Sequence, residues 1–204
     1  MLTLYYAPGA CSMAAHIVLE ECGEKYEGKK INLAGGEQRT ASYLKMNPLG
    51  RVPVLLLDSG EPLAANTAIL PYLGKRFNLW PIDTIAEAKA LSLVGFFATS
   101  VHPAHAHISR PERYASDTAA FPTLKETGLK TFHGFLRQID SMLADRVWFS
   151  DRYSVLDPYG FVFYTWGVRR DLPMTELRSY TAFKDRMLKR PAVTRVLDSE
   201  QIKV

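Results

Sequence analysis

Cys11 lies in the segment Ala7-Pro8-Gly9-Ala10-Cys11-Ser12, between an apolar run and a helical pattern. Leu2 to Tyr6 reads as a buried strand. Pro8 and Gly9 break it, and from Ser12 a helix takes over, with Met13, Ala14, Ile17 and Val18 on one side and His16, Glu20 and Glu24 on the other. That order puts Cys11 at the mouth of a helix, where unpaired backbone N–H groups and the helix dipole favour a thiolate over a thiol. Such placement lowers a cysteine pKa from about 8.5 into the range of roughly 3.5–7.5. Ser12 carries a hydroxyl and Tyr6 a phenol able to donate to a thiolate, so the chemistry suggested is that of an activated sulfur nucleophile. The same spacing suits a small apolar residue beside a turn, with Tyr6 packed beneath the helix, and the pattern alone does not choose.

His102, His105 and His107 form a second constellation. The three positions, at spacings of three and five, do not share one helix face well, and Pro103 sits among them, so the spacing does not predict a metal site. His16 and His133 read as solvated helix positions. Arg110, Arg113 and Tyr114 read as a solvated turn, with an anionic or aromatic substrate as their alternative use. The second cysteine, Cys22, is held roughly 16 Å from Cys11 by the helix between them, beyond disulfide reach. Two unpaired cysteines fit a reducing, cytoplasmic setting.

Several elements must position these residues. Tyr26 to Leu33 reads as a strand, Gly35-Gly36-Glu37-Gln38 as a polar loop, and Ser42 to Lys45 as a helical turn. Asn47-Pro48-Leu49-Gly50-Arg51-Val52-Pro53 leads into a strand from Val54 to Asp58. A cis Val52–Pro53 bond would turn the Val52 N–H and C=O outward as an edge for an extended peptide. After the turn at Ser59-Gly60 and a short strand at Pro62-Leu63, Asn66 reads as the N-cap of a helix reaching Phe77. Asn78 to Asp83, with Trp80-Pro81, breaks the periodicity. Helical patterns then run from Ile85 to about His107, Phe121 to Leu143, Val155 to Arg169 and Met174 to Lys189, with a tail helix from Ala192 to Leu197. Ser154 to Asp157 reads as a reciprocal capping box.

The 204 residues are 47% apolar and 23% charged, an ordinary globular composition that needs no disulfide framework. The net charge of +4 comes from 25 basic residues scattered among 21 acidic ones. With the densest basic run, Lys184 to Arg195, spaced as a helix face, nucleic-acid binding is not expected. Leu2 to Tyr6 has the marks of neither a signal peptide nor a membrane anchor, so a soluble intracellular protein is expected.

Tyr5 to Ser12, the Asn47-Pro48-x-Gly50-x-Val52-Pro53 loop, the Ser154 to Asp157 box and His102 after Ala98-Thr99-Ser100-Val101 together resemble the cytosolic glutathione transferases, most closely the bacterial beta class. The resemblance implies an α/β thioredoxin-like domain with a mixed four-stranded sheet at 1–77, a linker at 78–84 and an all-α domain at 85–204. It implies a detoxifying transferase that activates glutathione, as co-substrate and without a metal, for attack on a small hydrophobic electrophile. It also implies a homodimer. Cys11 would face the glutathione sulfur, with His102, Ser12 and Tyr6 as further catalytic residues, and Val52, Pro53, Ala65, Asn66 and Thr99 would bind glutathione. The acceptor pocket would draw on Ala7, Ala10, His102, the segment to Tyr114, and Tyr164 or Trp166.

Two departures stand out. Ala65 occupies a position where the family carries Glu or Gln, and the loop Ala34-Gly35-Gly36 lacks a family lysine. Each lost charge-assisted hydrogen bond, about 1.5–3 kcal/mol, weakens binding by one to two orders of magnitude. A partner-binding protein without catalysis is therefore one alternative function. The other, which rests on Cys11 facing the glutathione sulfur, is a glutathione-dependent disulfide oxidoreductase, and thiol–disulfide exchange at Cys11 is also the reaction that would accompany conjugation.

Overall fold

The computed structural model describes residues 1–204. Strand β1 (Leu2–Tyr6) is the centre of the first part, with Leu2 and Leu4 fully buried. It pairs in parallel with β2 (Tyr26–Lys30) and antiparallel with β3 (Val54–Leu56), which pairs antiparallel with β4 (Pro62–Ala64). The sheet order is β2-β1-β3-β4. Parallel neighbours need a crossover, and α1 (Met13–Cys22) supplies it, ending at Gly23 in the left-handed region with φ 63°.

The two-sided reading of α1 does not hold. Every residue from Met13 to Leu19 is buried, because the sheet and α3 (Asn66–Arg76) cover one side while α7 (Leu156–Val168) and α9 (Pro191–Glu200) cover the other. His16, expected in solvent, is only 5% exposed, with its Nδ1 2.7 Å from Glu200 Oε1. His133 is half-buried.

β2 stops at Lys30 rather than Leu33, and the expected loop contains a 3₁₀ turn at Glu37–Arg39 before α2 (Ala41–Met46). Asn66 does not cap α3. It lies within the first turn and donates its amide to the Cys11 carbonyl at 2.8 Å, while Ala65 takes the cap position at φ 69° with no side-chain acceptor to offer. A tertiary acceptor has won over the local one.

The rest is helical. α4 (Thr84–Phe96), capped by the Asp83 carboxylate, continues through a π-helical segment (Phe97–Val101) into α5 (His102–Ser109). The composite run Thr84–Ser109, with mean hydropathy 1.2, is long and apolar enough to cross a membrane by length and composition. Its α5 portion, however, packs along α6 (Phe121–Met142) as a bundle helix does. The π segment widens the helix by one residue at the point where it starts to line the cleft described below.

α7 is buried from Leu156 to Gly167, as its continuous apolar run requires. At its start Asp157 accepts from the Ser154 and Phe149 N–H groups at 2.7 and 3.0 Å. The Ser154 hydroxyl instead accepts from Leu156 N–H at 3.3 Å, so the box is not reciprocal. The predicted Met174 to Lys189 helix divides into a 3₁₀ turn (Met174–Glu176) and α8 (Arg178–Leu188). The segment after α3 is no loose tether: Trp80 is 3% exposed, and Val155 N–H bonds the Leu79 carbonyl at 3.2 Å. A single cluster of 40 buried residues runs from Leu2 through α1 to α7, α8 and α9, so the sheet and the helices share one core.

Candidate active site

A cleft of about 1400 Å³ separates the turn Ala7 to Cys11 and the loops at 30–39 and 50–52 from α5, the turn after it and the end of α7. The turn is shaped by Gly9, whose φ of 64° favours glycine and whose missing Cβ leaves room for Arg169 and Ile202. Its N–H donates to Glu200 Oε2 at 2.7 Å, and its carbonyl accepts from Trp166 Nε1 at 2.9 Å and Arg169 Nη2 at 2.6 Å. Helices from the far end of the chain thus hold the turn that carries Cys11.

Cys11 is 9% exposed, and its thiol donates to the Val52 carbonyl at 3.4 Å. Burial pushes the thiol up to about 12, outweighing the nearby backbone N–H groups and the positive charges of Arg51 and Arg113. The expectation of a thiolate is therefore overturned. The helix mouth is present, but removing the sulfur from water costs more than the dipole returns. The Val52–Pro53 bond is cis, the Val52 N–H donates to no group in the chain, and the Pro53 carbonyl accepts from Ala65 N–H at 3.3 Å. One hydrogen-bonding group of the expected edge is thus free and the other is taken by Cys11.

Ser12 and Tyr6 do not reach the cleft. The Ser12 hydroxyl is fully buried and closes the turn, donating to the Ala7 carbonyl at 3.2 Å and accepting from Ala7 N–H at 3.1 Å. Tyr6 packs against His16, ring centroids 4.6 Å apart, and is absent from the cleft wall. Thr99 also falls elsewhere: its hydroxyl donates to the Gly95 carbonyl at 2.8 Å, and it borders a separate cavity of about 470 Å³. Ala65 is exposed and Asn66 buried, and neither lines the cleft.

His102 does line it, with its ring edge-on to Trp166 at 5.0 Å. Burial, with Arg51 and Arg113 nearby, lowers its pKa to about 4, so the ring is neutral at pH 7. His105 stacks on Trp166 at 4.1 Å, and burial and Arg170 lower it to about 3. His107 turns away to Tyr114, ring centroids 3.9 Å apart, so the three histidines do not converge. Trp166 lines the cleft, whereas Tyr164 is buried outside it with its hydroxyl 3.1 Å from Thr181 Oγ1. Arg110 and Arg113 line the cleft rather than forming a plain surface turn; Tyr114 does not.

Comparison with known proteins places this geometry. The glutathione S-transferase N-terminal domain matches residues 1–75. The chain is also 31% identical to glutathione S-transferase GstA of Escherichia coli O157:H7, over 99% of this chain and all of that one. The chain belongs to the glutathione S-transferase family. A glutathione transferase homolog from Sulfitobacter, solved with bound glutathione, superposes with a TM-score of 0.92 at 30% identity over 98% of both chains. The beta class glutathione S-transferase of Sphingomonas chungbukensis superposes with a TM-score of 0.86 at 31% identity, covering 97% of this chain and 98% of that one. The thioredoxin-like first part and helical remainder expected from motif order are what this glutathione S-transferase family member contains.

Several cleft residues of this transferase-family chain escape sequence reasoning. Arg51, Arg169 and Arg170 line the wall, as does His105, singled out in the sequence only as a candidate metal ligand, and Glu200 anchors the turn from behind. The only local signal was the adjacent pair Arg169-Arg170 at the end of a very apolar helix.

Proposed function

We propose that this protein is a glutathione transferase that conjugates glutathione to a small electrophile. The observation that carries the reading is the unpaired Val52 N–H beside Cys11 at the edge of a cleft with room for a tripeptide and a second molecule. Glutathione lies extended against Val52, which the buried Pro53 holds at the cleft edge, its sulfur toward Cys11 and His102. Lys30 and Arg39, which also line the cleft, supply positive charge toward its carboxylates in place of the family lysine. Residues 1–77 thus hold glutathione, and the helices of 85–204 hold the acceptor.

Conjugation requires a glutathione thiolate. Arg51 and Arg113 favour that anion, and Cys11, kept protonated by burial, turns its one S–H from the Val52 carbonyl to donate to it when glutathione binds. Neutral His102 takes or returns a proton at the same place. Burial holds Cys11 as the thiol, which disfavours disulfide exchange through Cys11 as the main reaction. The exposed apolar residues Ile85 and Leu91 on α4 support a homodimer. A cytoplasmic detoxifying role is consistent with this chemistry and with two free cysteines.

Calorimetric titration of glutathione into reduced protein, followed by turnover of 1-chloro-2,4-dinitrobenzene, tests the reading. Saturable binding and glutathione-dependent turnover, lowered at least tenfold by Cys11→Ala or His102→Ala, are expected. No saturable binding at millimolar glutathione would overturn it in favour of a partner-binding role.

A further inference from the structure

Seven cationic side chains and two carboxylates line the cleft. The cations do not serve to hold the fold together by ion pairing. The eight ion pairs formed by Met1, Lys29, Lys75, Arg76, Lys184, Arg190 and Arg195, and the His16–Glu200 contact, all lie away from the cleft. Arg169 and Arg170 have structural partners, the Gly9 carbonyl and the Ser109 hydroxyl. Arg110 bonds only the carbonyl of its neighbour Ser109, and Arg51 and Arg113 make no hydrogen bond with their guanidinium groups. Arg51 comes from the loop before Pro53 and Arg113 from the turn after α5, so they belong to opposite walls. Both act on Cys11 and on His102, which puts them beside the two groups where sulfur chemistry would occur. Arg51 and Arg110 repel Arg113, and the neighbouring Glu112 offsets that repulsion only in part.

Glutathione alone does not balance this charge. Its two carboxylates and one ammonium leave a net charge of −1, or −2 as the thiolate, against the cationic excess of the cleft. Lys30 and Arg39 stand on the loop side, away from α5, leaving Arg51, Arg110 and Arg113 around the space beyond the sulfur.

Building on the transferase reading above, we propose that the acceptor half of the cleft selects electrophiles bearing a carboxylate, clasped between Arg51 on one wall and Arg110 and Arg113 on the other. This takes up the anionic alternative for Arg110 and Arg113 and departs from the small hydrophobic electrophile that the family resemblance implies. Trp166 and Ala106 offer apolar surface for the carbon skeleton, while the guanidinium forks match a carboxylate's two oxygens. In the reaction the glutathione sulfur forms a bond to the electrophilic carbon, the carbon–halogen bond of an aryl halide breaks, and the halide leaves with the bonding pair. The thiol proton passes to solvent, so no oxidant or reductant is needed.

The test compares 4-chloro-3,5-dinitrobenzoate with its methyl ester at saturating glutathione, each rate divided by its uncatalysed rate. The wild-type protein is expected to favour the carboxylate at least tenfold in kcat/KM, and the preference should shrink in 0.5 M salt. Arg113→Gln should reduce the preference about fivefold, and the Arg51→Gln/Arg113→Gln double variant should abolish it. Arg113→Lys, which keeps the charge, should retain most of it. Both arginines are exposed, and thermal unfolding of each variant checks that the fold persists. Turnover of the ester with no preference for the carboxylate, or a preference unmoved in the double variant, would overturn this inference and leave the transferase reading standing. Absence of glutathione-dependent turnover with either compound would overturn both.

Discussion

Replacing Glu200 should be among the most damaging single changes in the molecule, although Glu200 touches neither the cleft nor the sheet. Its side chain is completely buried, one oxygen 2.7 Å from His16 Nδ1 and the other accepting the Gly9 N–H at 2.7 Å. Glu200→Ala strands a buried imidazole and a buried backbone donor, each costing about 1–3 kcal/mol, and opens a cavity beneath the turn. The total is about 3–5 kcal/mol, the range for breaking one side of a buried pair and a large part of a typical total stability of about 5–15 kcal/mol. Glu200→Gln keeps the shape but leaves one carbonyl oxygen to replace two carboxylate oxygens, so its cost is smaller, about 1–3 kcal/mol. Urea unfolding at pH 7 measures both, and thermal midpoints should fall by roughly 6–20 °C for Glu200→Ala at about 2–4 °C per kcal/mol. Because Gly9 is two residues from Cys11, the KM for glutathione should rise in variants that remain folded. A Glu200→Ala protein within 1 kcal/mol of wild type would refute the claim that this carboxylate holds the turn in place.

Other outcomes follow from the buried titrating groups. Cys11 and Cys22, both pushed up to about 12 chiefly by burial, should react with iodoacetamide at pH 7.5 at least a hundredfold more slowly than free glutathione. Fast labelling mapped to Cys11 by mass would refute the protonated-thiol role. His102 and His105 are lowered from 6.5 to about 4 and about 3, so the unfolded chain takes up their protons first as pH falls. Their contribution to stability is therefore complete above about pH 6.5 and is lost on descending toward pH 4 and 3. At about 1.4 kcal/mol per unit, each histidine loses up to about 3 kcal/mol by pH 4, about 6 kcal/mol for the two together. Urea midpoints from pH 7.5 to 4.5 should fall more steeply for wild type than for His105→Phe, and parallel slopes would contradict the assignment.

Local patterns carried the architecture because they were set by local forces. The apolar runs at Leu2 to Tyr6 and Tyr159 to Trp166 became the central strand and the central helix, and the glycine and proline breaks fell at the turns. The errors share a different cause. His16 and Glu20 look alike on a helical wheel, and only the arrival of α9 from 184 residues away makes His16 a buried partner of Glu200. Asn66 obeys capping rules until the Cys11 carbonyl comes within 2.8 Å. The helix mouth at Cys11 predicts a thiolate, whereas the proton affinity of the thiol is decided by packing that no short window contains. Tyr164 and Trp166 are two positions apart on α7, and rotation about the helix sends one to Thr181 and the other to the cleft. The cleft arginines are scattered from position 51 to 170, so only the folded chain makes them neighbours.

The clasp on Gly9 also sets an order of events during synthesis. Gly9 leaves the ribosome near the beginning, while Trp166, Arg169 and Glu200, which hold it, are made near the end. At roughly 5–20 residues per second, about 10–40 s separate the translation of Cys11 from that of Glu200. Through that interval the nascent chain carries an ordinary, accessible thiol, open to oxidants and stray metals. α9 is therefore the helix that fixes, well after Cys11 has been made, the turn on which that cysteine sits.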